Sequence, residues 1–71
     1  MKLRGRIEFQ DLEGGVFELA GDDGQRYTLL GRKGELRAAQ GQRVEIEGEI
    51  ERGFGIAMRG QQVRVDKLRK L

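Results

Sequence analysis

The chain reads as an all-β domain: five short strands rolled into a small barrel, with a short helical turn between the third and fourth. Three observations carry that expectation. Apolar and charged side chains alternate with the period of two that a strand with one buried face requires, most strictly where Val44, Ile46, Gly48 and Ile50 interleave with Glu45, Glu47, Glu49 and Glu51. Twelve glycines are spread along 71 residues and punctuate the alternating runs at turn distances. No long stretch keeps the helical period.

The elements follow in order. Leu3, Gly5, Ile7 and Phe9 alternate with Lys2, Arg4, Arg6 and Glu8, which predicts a first strand with the apolar set, Phe9 included, turned inward. Residues 10–15 form a polar loop ending in Gly-Gly, and residues 16–20 a second strand with Phe17 and Leu19 inside. Gly21-Asp22-Asp23-Gly24 is a tight turn, because Asp-Gly tolerates the positive backbone angles such turns need. Residues 25–30 give the third strand, with Tyr27 and Leu29 inward. Residues 31–41 break the alternation, and the helix formers of residues 35–40 ahead of Gly41 predict one or two helical turns. The Val44-to-Glu51 alternation is strand four, and Arg52-Gly53-Phe54-Gly55 a turn. Strand five carries Ile56, Met58, Val63 and Val65, with a bulge or bend at Gly60. Residues 68–71 read as a frayed basic tail.

Five strands with a helical connection between the third and fourth is the layout of an OB-type Greek-key barrel. In that topology strand one closes on strand four, which sets Lys2, Arg4 and Arg6 beside Glu45, Glu47, Glu49 and Glu51. Each opposed pair adds about 0.2–1 kcal/mol, enough to select a register while the core holds the fold.

Gly15-Val16-Phe17-Glu18-Leu19, Asp22-Asp23-Gly24 with Tyr27-Thr28-Leu29, Leu36, and Gly41-Gln42-Arg43-Val44-Glu45-Ile46-Glu47-Gly48 resemble small bacterial OB-fold-like domains of unknown function. The likeness covers most of the chain through three landmarks: DDG-x-x-Y-x-L, G-x-x-V-x-I-x-G and I-x-M-x-G-x-x-V-x-V. These are structural positions, so the resemblance implies a fold and brings no activity with it. A weaker resemblance is to the RNA-binding OB domains of the initiation factor one type, whose basic barrel end is partly echoed by Arg64, Lys67, Arg69 and Lys70.

Composition narrows the chemistry. A domain of 71 residues buries only about 60% of its unfolded surface, so residues 1–71 are expected to build one core. Cys, His and Ser are absent, which excludes disulfides, a zinc site of the usual ligand set, and Cys, His or Ser-His-Asp nucleophiles. The four glutamates of strand four face one way beside cations, not across a cleft as acid and base would. Asp22 and Asp23 belong to a turn, since a calcium loop needs several more spaced oxygens. Gly31-Arg32-Lys33-Gly34 and Gly53-Phe54-Gly55 both lack the rest of a phosphate or dinucleotide motif. The expectation is a protein that is not an enzyme and uses no metal or small-molecule cofactor. No apolar run is long enough to span a bilayer, and Met1-Lys2-Leu3-Arg4 is not followed by an apolar signal region; with no cysteine, a cytoplasmic protein is expected. Asn, Pro and Trp are missing too, although roughly three or four prolines would be average. A GC-rich or thermophilic source explains that alphabet, with ten arginines among 14 cations; so does a designed, reduced-alphabet chain.

Binding is the remaining chemistry. Fourteen cations stand against 12 anions, but unevenly: residues 8–23 hold six acids and no cation, while cations gather in residues 26–37 and 52–70. A basic side and an acidic side are expected. OB barrels hold single strands with cations for phosphates and exposed rings for bases. Phe9, Phe17 and Tyr27 fall on the apolar phase and are expected in the core, leaving Phe54 as the stacking ring. The candidate site is therefore Arg52, Phe54, Arg59 and Arg64, and its ligand single-stranded DNA or RNA, or another polyanion. The rival reading is a protein-interaction or structural module, including self-association of acidic face on basic face.

Overall fold

In the structure, a computed structural model, residues 1–11, 14–51 and 61–71 are described. The alternating runs become β1 (Lys2–Gln10), β2 (Val16–Gly21), β3 (Arg26–Leu30), β4 (Arg43–Glu51) and β5 (Gln61–Lys70), with helix α1 (Lys33–Ala38) between β3 and β4. They close a five-stranded barrel in the order β1-β2-β3-β5-β4, all neighbours antiparallel except β3 and β5. β1 closes on β4 as expected, yet the charge ladder is shorter than the sequence suggests. Lys2 faces Glu47 and Arg4 faces Glu45, but Arg6 faces Arg43. β1 begins at Lys2, so in this register it has no residues left to meet Glu49 and Glu51, which pair across to Arg64 and Gln62 of β5.

The inward phase of every strand supplies the core. Ile7, Leu19, Val44, Ile46 and Val63 are fully buried, with Phe17, Tyr27, Leu29 and Val65 around them. Leu36 and Ala39 are equally buried, so α1 covers the barrel end where β3 finishes and β4 starts. That end is tied by backbone bonds from Gly41 to the Ile7 carbonyl and from Ile7 to the Gln42 carbonyl, 2.8 and 3.1 Å.

The last residues depart from the expected frayed tail: β5 pairs with β4 as far as Lys70 opposite Val44, and the Leu71 amide donates to the Arg43 carbonyl at 3.0 Å. A β-bulge accounts for the misreading. The register steps from Gly48 opposite Val65 to Glu47 opposite Lys67, leaving Asp66 as the extra residue. The apolar phase therefore jumps from Val65 to Leu68, which packs against the core although its spacing breaks the alternation. Gly48 makes the bulge possible, since a Cβ there would lie 2.0 Å from the Arg64 carbonyl oxygen. Ile56, Met58 and the bend expected at Gly60 lie outside the described residues, as does the turn expected at Arg52-Gly53-Phe54-Gly55.

The Asp22-Asp23 segment is a hairpin turn. The Gln25 amide and the Tyr27 hydroxyl donate to the Asp23 carboxylate at 2.9 and 2.7 Å. The Tyr27 hydroxyl, with the Gln25 amide beside it, holds that carboxyl below the usual range, and the Tyr27 phenol is correspondingly pushed up by Asp23.

Candidate nucleic-acid interface

Of the four residues the sequence singles out, Arg52, Phe54 and Arg59 lie outside the described residues. The fourth, Arg64, is exposed on β5 but engaged: its Nη1 donates to Glu51 Oε2 at 2.9 Å, and its Nε lies 3.6 Å from Asp66 Oδ1. A phosphate would have to compete with both carboxylates. Arg26 is engaged likewise. Glu8 and Glu18 stand opposite each other on β1 and β2, a like-charge contact that needs a bridge. Arg26 supplies it from β3, with Glu18 Oε1 3.1 Å from Nε and 3.0 Å from Nη2, and Glu8 on Nη2. The separation into a basic and an acidic side thus gives way here: the acids of residues 8–23, cation-free in sequence, receive one from the next strand, and Asp22 receives Arg43.

A different group of residues forms a concave site. β1 keeps Phe9 in phase with Ile7, but β4 pairs with β1 only from Lys2 to Arg6, so Phe9 has a paired strand on the β2 side alone. Phe9, expected in the core, is therefore 40% exposed while Ile7 is fully buried. Its ring meets Phe17 edge-on, centroids 5.3 Å apart and planes at 63°. On its other flank lies Gly15, at φ +103°, where a Cβ would come within 2.7 Å of Phe9 Cζ. Only a glycine lets the ring settle against that backbone. The Arg37 guanidinium sits over Phe17, 6.0 Å from the ring centroid.

These residues border a cavity of about 200 Å³ whose lining includes Phe9, Gly15, Phe17, Leu29, Lys33 and Arg37. Lys33 and Arg37 are four apart on α1 and so share a helix face. Both are exposed, and neither has an acidic partner among the described residues. The arrangement couples an apolar platform with two cations, which suits a planar ring bearing a negative charge. Sequence reasoning passed over Phe9 and Phe17 because phase alone assigns them to the core. Lys33 and Arg37 left a signal, a pair of cations at helical spacing inside the basic stretch of residues 26–37.

Among the described residues, no group of three or more metal-ligating side chains gathers, and no helix is long and apolar enough to cross a membrane. No family model, curated protein or solved structure matches the chain.

Proposed function

We propose that the protein is a non-enzymatic OB-type module that binds single-stranded nucleic acid at the Phe9, Phe17, Lys33 and Arg37 surface. The strand order β1-β2-β3-β5-β4 with a helix between β3 and β4 supports the OB-type assignment. One observation carries the binding reading: a Phe9 ring seated against Phe17 and Gly15 yet 40% exposed, beside two cations without acidic partners among the described residues. Exposed rings stack bases and cations meet phosphates. A cytoplasmic location fits a chain without cysteine.

The test is a fluorescence-anisotropy titration of labelled single-stranded DNA and RNA at low and moderate salt. Binding is expected to weaken with salt and in Phe9→Ala. The Lys33→Gln, Arg37→Gln double variant should lower the log–log salt slope by about 0.7–1.4, one or two phosphate contacts. Phe54→Ala and Arg59→Ala in the same titration measure any share taken by the residues first singled out in the sequence. A flat signal at low salt overturns the proposal.

A second reading, a protein-interaction or structural module, draws on the ion-paired wall. Arg4 and Arg69 both hold Glu45, and Arg26 and Arg64 are likewise occupied by carboxylates, which leaves those cations little to offer a polyanion. Light scattering showing a stable dimer, together with no oligonucleotide binding, would favour it.

A further inference from the structure

The cavity beside Phe9 is small and both of its lining cations come from one helix face, and both features bear on what part of a strand it accepts. Pockets that enclose drug-sized ligands run to roughly 300–1,000 Å³, whereas this one measures about 200 Å³. It has room for one base on the Phe9 platform and not for a run of bases. Lys33 and Arg37 are adjacent on one face of α1, so they reach toward a single anion, whereas a row of phosphates would need cations spread along a groove. The contacts of the Phe9 ring with Gly15 and with Phe17 fix the platform before any ligand arrives, so little ordering remains for binding to impose.

From these features we infer that the site takes one nucleotide unit, with a single-ring pyrimidine base on the open side of Phe9 and its phosphate between Lys33 and Arg37. This rests on the single-strand reading above and adds to it a site size of one and a preference for pyrimidines. Either base alone is smaller than the cavity, and the preference comes from the sugar and phosphate that must share it: the one-ring base leaves them more of the volume. A bound strand then passes over the site and leaves one base in it.

The experiment uses the whole chain, with cytidine monophosphate, adenosine monophosphate and inorganic phosphate as probes. Each competes against a labelled pyrimidine oligonucleotide, and amide chemical shifts are followed in parallel. Cytidine monophosphate is expected to displace the oligonucleotide and to move the amides of Gly14, Gly15, Gly31 and Lys33. Adenosine monophosphate should need a higher concentration, and phosphate alone a higher one still. Phe9→Ala should raise the cytidine monophosphate requirement about tenfold, the loss of one stacked base. Phe9→Leu, which keeps apolar bulk without a ring, should do nearly the same and so separates stacking from folding. Gly15→Ala should act in the same direction by pushing the ring off its seat. If the oligonucleotide binds but neither mononucleotide displaces it, or the purine competes better, the one-pyrimidine site is wrong while single-strand binding stands. If no oligonucleotide binds at low salt, both fall together.

Discussion

Tyr27 is buried by its ring and tethered by its hydroxyl, and the tether makes the β2–β3 turn sensitive to pH. Its hydrogen bond to Asp23 lowers the folded-state pKa of that carboxyl. A depressed carboxyl pKa contributes stability that is present above the unfolded pKa and lost as pH falls through the folded one. The raised Tyr27 phenol works at the other end: its contribution is present below the ordinary tyrosine range and lost as pH rises through the folded value. Tyr27→Phe should therefore lower Tm at neutral pH and change it little once the pH is below the folded pKa of Asp23. Thermal unfolding by circular dichroism across an acid series checks this, and an equal loss at every pH would mean the hydroxyl does not stabilise through the ionised carboxylate. The turn was legible because Asp-Asp-Gly has few other uses. The hydroxyl's partner was not, since it depends on which way the carboxylate rotates.

At the scale of the element, β5 is instructive because one unpaired residue decides where four others point. If the strand ran through Asp66 without the bulge, alternation from Val65 would carry Lys67 into an inward position and turn Leu68 outward. Leu68→Ala should cost about 1–2 kcal/mol, through loss of the apolar area that the bulge turns onto the core. Asp66→Ala, which keeps the bulge, should stay within about 0.5 kcal/mol. Urea unfolding separates the two, and equal effects would show that Leu68 adds nothing to the core. α1 was foreseen from its composition, and its buried Leu36 follows from the need to cover the open barrel end. The pairing of residues 68–70 was hidden, because alternation interrupted by one residue looks the same as alternation that has ended.

Taken whole, the molecule is a closed wall on which half of the described cations hold carboxylates. Arg4 with Glu45 and Arg69, Arg26 with Glu8 and Glu18, Arg64 with Glu51 and Asp66, and Arg43 with Asp22 link neighbouring strands. The cations of these pairs are well exposed, so each pair adds little to stability, and salt screens what it does add. The fold should therefore shift only slightly in Tm between low and high salt, while oligonucleotide affinity falls steeply through counterion release. A drop in Tm of more than about 8 °C, over 1 kcal/mol in a domain of this size, would show that the ion pairs carry the fold.

Strand number, the helix between β3 and β4 and most of the core were determined by sequence alone, because period-two burial and turn chemistry are local rules. The tertiary structure decided what depends on where a wall ends and which strands lie side by side. Phe9 and Ile7 share a phase, yet Ile7 lies in the core while Phe9, beyond the stretch of β1 that β4 pairs, is well exposed. Arg26 is distant in sequence from Glu8, yet the barrel brings it across two strands to neutralise the acids there. A side chain's phase is written in its neighbours along the chain; its exposure and its counter-charge belong to neighbours that only folding supplies.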